Sequence, residues 1–297
     1  MIPESHGLPD PEPNPASGET HLPVVIPAAP GSEHLATACT AAIKDGARRF
    51  YVVSERAPED CPGSPSHVAV AATAGFATRA NAGLKAAARD GHRAALLLND
   101  DTQLLTGSLR ALADGLSDPQ VAVAGAVLLP WESDGVQQSG IRVFERTGRI
   151  QVLQEEPSNT YTTRDAVSGA AMGINLDTFA ALGGFCEAYT FYFEDVDYCH
   201  RVRAQGHRVV VCRDARVRHR EGGTQSRESR RVAWHLGRSQ AIFARRLGGS
   251  FVTRQLRLAT AMTLGFGWTG RRLGPRALPQ FAAGVWTTRG GLGALGD

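Results

Sequence analysis

Four short apolar runs, PVVIPA (23–28), FYVVS (50–54), HVAVAAT (67–73) and AALLLN (94–99), dominate the first hundred residues. Helical spacing fills HLATACTAAIKDGA between the first and second, and a Pro-rich loop to Ser66 separates the second from the third. The Ala-rich segment from Ala77, closed by Gly91, lies between the third and fourth. Strands alternating with helices of this length predict an α/β chain with a parallel sheet sandwiched between helical layers, a Rossmann-like three-layer arrangement. Ligands of such sheets sit at the carboxyl ends of the strands. One strand end is conspicuous, because LLLNDDT (96–102) places Asn99, Asp100 and Asp101 directly after three leucines.

The pattern continues with a helix over SLRALADGLSD (108–118) and a strand over VAVAGAVLLP (121–130), then loosens into hairpins between Trp131 and Asp165. VSGAAMGINLDTFAALGGF reads as strand, turn and short helix; a second helix is expected from Glu194 to Gln205, stopped by Gly206 and followed by a strand and a polar turn. The last sixty residues are Arg-rich and weakly amphipathic. At 297 residues the chain suits one large domain with an appendage. We place a disordered Pro- and Glu-rich leader at 1–21, a main unit at 22–225 and a helical extension at 226–297.

Charge is strongly segregated. From Arg201 onward there are 19 Arg, no Lys and four acids, whereas the first 200 residues carry 13 basic and 25 acidic side chains. The cationic third suits diphosphates or anionic lipid; with neither an aromatic-interleaved RNA motif nor zinc-finger spacing, nucleic acid is not an expected partner. Five cysteines without CxxC pairing fit reduced thiols in a cytoplasmic protein. The leader lacks the basic start and apolar run of a signal peptide, and no segment approaches 18 consecutive apolar residues.

Asp100 and Asp101 have two readings. Carboxylates after a buried strand are costly unless solvated, hydrogen-bonded or metal-bound, and hard ions such as Mg²⁺ or Mn²⁺ share such oxygens with phosphates. They could equally cap the following segment. Glu194, Asp195 and Asp197 form a second cluster at a helix start. It would suit the helix macrodipole, or, beside Phe191, Tyr192 and Phe193, a carboxylate with the raised pKa of a general base. His219 matters only if the fold carries it to Asp101. Gly75 and Asn81, at the start of the Ala-rich helix, would allow a ligand close to its N-terminus or simply pack against the sheet.

In order and spacing, GFATRANAGL, LLLNDDT, SGAAMGINLDTFAALGGFCEAYTFYFEDVDYCHRVRAQGHRVVVCRDARVRH and the following HREGGT resemble the family-2 glycosyltransferases of glycosyltransferase A-type fold, particularly rhamnosyltransferase-like and galactofuranosyltransferase-like members. The likeness runs from about Phe76 to Thr224. It implies a divalent-metal-dependent, inverting transfer of a sugar from a nucleoside diphosphate donor to a hydroxyl-bearing acceptor. By the same resemblance Asp101 is the metal-binding acid of a DXD-like motif, with Asn99 at its first position and Asp100 where proline is usual. Asp195 corresponds to the catalytic base, Glu194 stands on the acceptor side, His219 corresponds to a metal-binding histidine, and Ser168 and Gly169 line the cleft. Two positions depart from the pattern: VVIPAAPGS lacks a polar pair after the first strand, and the second strand ends in Ser54 and Glu55 where an aspartate usually reads the base. Glu55 is therefore the candidate for base recognition.

Other classes stay open in the sequence. A nucleotidyltransferase of similar fold would release pyrophosphate, a glycoside hydrolase would ignore EDTA, and a catalytically silent nucleotide-binding module would bind without turnover. The segment between Arg254 and Arg276 could rest on an anionic membrane at the inner face, near a lipid-linked acceptor, or pack as an ordinary helix. A homo-oligomer also remains open.

Overall fold

The computed structural model describes residues 22–59, 61–220 and 229–288; the leader and HREGGT beyond Arg220 lie outside them. The expected early strands form as β1 (Val24–Pro27), β2 (Phe50–Ser54), β3 (Ser66–Ala69) and β4 (Ala94–Leu98), with α1 (Leu35–Lys44) and α2 (Phe76–Arg89) between them. Further along come β5 (Thr102–Leu104), α3 (Ser108–Gly115) and β6 (Val121–Pro130). The loosely patterned stretch holds a two-stranded hairpin, β7 (Ile141–Phe144) with β8 (Arg149–Val152), and then β9 (Tyr161–Thr163). The sheet unit continues with β10 (Ala171–Asn175), α4 (Leu176–Ala181), α5 (Glu194–Ala204) and β11 (Arg208–His219).

The main sheet runs β3-β2-β1-β4-β10-β6-β11-β5, with β9 also on β11. The expected parallel sheet forms, but not throughout. β1 to β4 pair in parallel, as do β6 and β11, but β10 enters antiparallel between β4 and β6, and β5 and β9 pair antiparallel with β11. The physical reason is the connection: β10 is reached from β6 through the hairpin region rather than through the crossover helix that a parallel neighbour needs. Core side chains fill both faces of the sheet. Leu97, Val123 and Val211 pack with α2 and α5, while Leu96, Leu98 and Val210 pack with α1 and α3, giving three layers.

The Arg-rich tail folds as α6 (Ser229–Arg246), α7 (Phe251–Arg272), a 3-10 turn and α8 (Leu278–Thr287). α6 belongs to the sheet unit as much as to the tail, since Ile242 and Phe243 are buried in the same core as Val123 and Val211. α6 and α8 touch backbone to backbone at reciprocal glycines: a Cβ on Gly237 would collide with the Phe281 carbonyl, and one on Gly284 with that of Trp234. Backbone offers no rotamer to yield, so Gly284→Ala is expected to destabilise by about 1–3 kcal/mol, read as a lowered Tm in thermal unfolding.

Candidate active site

The acidic turn is closed by its own backbone. After Leu98 ends β4, the Asn99 N–H donates to the Ala170 carbonyl at 2.9 Å, and the Thr102 hydroxyl donates to the Asn99 carbonyl at 2.6 Å. Asp100 turns away to accept the Ala29 N–H at 2.7 Å, tying the turn to the loop after β1. Asp101 turns the other way. Its side chain is 21% exposed and its Oδ1 lies 3.7 Å from Nε2 of His219.

Strand register makes that meeting. β11 pairs His219 with Thr102 on β5 and with Pro130 on β6, and the Arg220 N–H then donates to the Asp101 carbonyl at 3.1 Å. β11 is a single strand of 12 residues rather than strand plus turn, with an irregularity between Cys212 and Arg216 where its register against β6 shifts. Its first part pairs with β9 and its last part with β5. Burial lifts the Asp101 pKa above the usual carboxylate range; His219 and, more weakly, His34 oppose that, while Asp100 adds to it.

Three polar atoms at this strand end are buried without a hydrogen-bond partner: Asn99 Oδ1, Asp101 Oδ1 and His219 Nδ1. The two oxygens, with the His219 Nε2 that faces Asp101 rather than its Nδ1, make a donor set suited to a divalent ion. Among the described residues no group of three or more His, Cys, Asp or Glu assembles. Two such side chains would cover one side of a coordination sphere, as when substrate phosphates complete the shell of an Mg²⁺-type ion.

The second acidic cluster divides into three different environments. Asp195 is fixed through both oxygens: the Gly169 N–H donates to Oδ2 at 2.9 Å and its neighbour Val196 to Oδ1 at 2.8 Å. Burial lifts its pKa, with those N–H groups pulling the other way. Ser168 Oγ accepts the Ala170 N–H at 3.2 Å. The segment 168–170 thus holds Asn99 by one residue and Asp195 by the next, which places the two acidic clusters on either side of a single backbone segment.

Glu194, expected on the acceptor side, is instead buried at 7% exposure with Oε2 enclosed and unpartnered, so it has little surface to offer an acceptor. Desolvation, and then the adjacent Asp195, drive its pKa well above the usual carboxylate range. In the unfolded chain it ionises at an ordinary carboxylate's pH. Stability from this group is therefore fully present below that pH and declines as pH rises through its raised folded pKa, because the folded state holds the proton more tightly. Glu194→Gln is expected to give a shallower fall of Tm with rising pH than the wild type, measured by thermal unfolding over a pH series.

Asp197 is 2% exposed and serves the scaffold, accepting from Arg201 at 2.9 Å, from Arg246 of α6 at 2.6 Å and from the Tyr189 hydroxyl at 3.3 Å. α6 clamps the loop before Glu194 at further points: Ser239 Oγ donates to the Phe191 carbonyl at 2.7 Å, His235 Nδ1 meets Thr190 Oγ1 at 2.9 Å, and Arg238 donates to the Ala188 carbonyl. Tyr192 and Phe193 have φ of 68° and 69°, a left-handed region that costs a bulky residue about 1–3 kcal/mol. Phe193 packs on Phe243 of α6 with ring centroids 5.5 Å apart, so the helix holds the strained turn that delivers Asp195.

Two expected donor-side residues have other work. Asn81 is 3% exposed and spends its amide on the Phe185 carbonyl, the Phe185 N–H and Glu187 Oε1, which makes it a staple for the loop after α4 rather than a nucleotide contact. Gly75 has a packing reason to be small, because a Cβ there would stand 2.8 Å from the Thr190 carbonyl oxygen and block the approach of this loop. Glu55 is exposed just beyond the carboxyl end of β2. His34, close enough to act on the Asp101 charge, was not singled out in the sequence; its one signal is its place at the start of the helix after β1. Arg220 was covered only as one of many arginines. Its backbone N–H meets the Asp101 carbonyl while its guanidinium stacks on Trp131 at 4.6 Å, with Nε buried and unpartnered.

The arrangement offers a carboxylate–imidazole pair that could hold a divalent ion and a fixed carboxylate that could take a proton. No curated protein matches the chain in sequence. Among solved structures it is similar to GalNAc-T7 with UDP, GalNAc and Mn²⁺ (TM-score 0.56, 12% identity, 86% of this chain and 57% of that one). It is also similar to the mannosyltransferase PcManGT from Pyrobaculum calidifontis in complex with GDP-Man and Mn²⁺ (TM-score 0.51, 18% identity, 93% and 76%). A third is S. aureus TarS 1–349 in complex with UDP-GlcNAc (TM-score 0.57, 14% identity, 89% and 81%). The chain thus spans little more than half the length of the GalNAc-T7 chain, and at these identities the likeness establishes the fold, a glycosyltransferase A-type sheet. Residues 95–287, which run from β4 to the end of α8 and include Asp100, Asp101 and the Glu194–Asp197 cluster, match glycosyl transferase family group 2, and the chain belongs to that family.

Proposed function

We propose that this chain transfers a sugar from a nucleoside diphosphate donor to an acceptor hydroxyl, with inversion at the anomeric carbon. The observation that carries the reading is the convergence of Asp101 and His219, 3.7 Å apart, with Asp195 anchored to the backbone segment that also holds Asn99. Asp101 and His219, with Asn99, would hold a divalent ion, Mg²⁺ or Mn²⁺; when bound, it would neutralise charge developing on the leaving diphosphate. Arg220, steadied by Trp131, adds a guanidinium to that anion. Asp195 accepts the proton of the acceptor hydroxyl as its oxygen bonds to the anomeric carbon from the face opposite the departing diphosphate. Glu55 contacts the base, and Ser168 and Gly169 line the cleft between donor and acceptor. Residues 22–225 form the catalytic unit, buttressed by α6. Five free cysteines fit a cytoplasmic place of action.

The test begins with a screen of nucleotide sugars by thermal shift, with and without Mn²⁺. A donor so identified should stabilise the protein only with the metal and should release nucleoside diphosphate on transfer. In calorimetry, Asp101→Ala is expected to weaken Mn²⁺-dependent nucleoside diphosphate binding by at least about tenfold, the scale of a lost charge-assisted contact. Equal binding by the variant, or release of pyrophosphate by the wild type, would overturn the assignment.

A further inference from the structure

We infer that the outward face of α7 is a docking surface for an anionic lipid bilayer. α7 is 22 residues long, about 33 Å at 1.5 Å per residue. Leu258, Ala261, Gly265 and Thr269 form its inner face, buried against its neighbours in the helical tail. The opposite face carries Val252 at 63% exposure and Leu256 at 65%, then the uncharged Thr260, Thr263 and Gly267, and Leu264 at 46% and Trp268 at 43% stand on its flank.

A surface helix ordinarily presents charge to water. Here the only charged residue between Arg254 and Arg271 is Arg257, and it is turned inward, 6% exposed and donating to the Gly248 carbonyl at 2.9 Å. The water-facing stripe is therefore apolar or neutral for more than four turns. Arginines bracket it: Arg254 at one end and Arg271, Arg272 and Arg276, all exposed, at the other.

Charge selects the occupant. From Ser229 to Thr288 the sequence has ten arginines and no aspartate or glutamate. A second copy applying the same face would set arginine against arginine, which disfavours association. An acidic bilayer surface instead complements the arginines while its acyl boundary receives the leucines, and tryptophan favours that boundary. Among the described residues no helix is long and apolar enough to cross a membrane, so α7 lies along the surface. The surface is independent of the transfer reaction, and its readout needs no sugar donor.

Flotation of the full chain with phosphatidylcholine vesicles, with and without phosphatidylglycerol, tests this. The wild type should float with the anionic vesicles alone and be released by salt. Replacing Arg271, Arg272 and Arg276 together by Gln should weaken binding about 100-fold, at about fivefold per arginine. Replacing Leu256, Leu264 and Trp268 together by Gln should abolish flotation while circular dichroism and Tm stay near wild type, since these side chains are exposed. Absence of flotation with anionic vesicles at low salt, or full binding by the leucine–tryptophan variant, would overturn the inference. So would a wild-type dimer that this variant converts to a monomer without any vesicle binding, which would assign the face to a second copy.

Discussion

Asp195→Asn should lower the rate of sugar transfer by about 10²–10⁴, the usual range for loss of a positioned general base. Asparagine is nearly isosteric and its carbonyl can still accept one of the N–H groups of Gly169 and Val196, so the fold and the donor site should survive. Donor binding in calorimetry should therefore stay within a few-fold of wild type while turnover collapses. A pH profile adds a second reading. Asp195 works as a base only when ionised, and burial raises its pKa. The wild-type rate should climb as pH rises through that raised pKa and fall below it, and the residual rate of the variant should lose this limb. Full activity in Asp195→Asn, with a donor identified, would remove Asp195 from the mechanism.

The sequence made the layers legible because β1, β2, β4 and β6 are continuous apolar runs and α2 has a clear helical spacing. It also exposed Asp101 and Asp195, since carboxylates beside buried strands or aromatics demand a reason. What it could not show is the work of long-range pairing. β5 has three residues, too few for any periodicity, and exists because β11 lies beside it; the meeting of His219 with Asp101 depends on that pairing. Asn81 and Gly75 looked like ligand contacts because a small or amide residue at a helix start serves a ligand and a neighbouring loop equally well. The loop that claims them, Gly184 to Thr190, lies a hundred residues away in the chain. Nor could the tail be divided by composition: α6 and α7 share an arginine-rich character, yet α6 clamps the turn before Asp195 while α7 keeps an apolar face to solvent.

Asp197 shows how one acidic cluster can conceal separate roles, and its replacement has the largest expected effect on stability. EDVD places four residues at a helix start, where any acid is favoured by the macrodipole. Position along the helix then sorts them, because Asp197 falls on the buried side and faces Arg201 and Arg246 together. Asp197→Ala would leave both guanidiniums partly buried without their carboxylate, and stranding one side of a buried ion pair costs about 3–5 kcal/mol. At about 2–4 °C per kcal/mol for a chain of this size, Tm should fall by roughly 10 °C. Arg246→Ala should cost less, since Arg201 and Tyr189 would still satisfy the acid, but it should loosen α6 from the strained Tyr192–Phe193 turn. A double-mutant cycle over Asp197 and Arg246 should therefore return a coupling above about 1 kcal/mol. Additive losses would mean that α6 is held by its apolar contacts alone, and that the delivery of Asp195 does not depend on this ion pair.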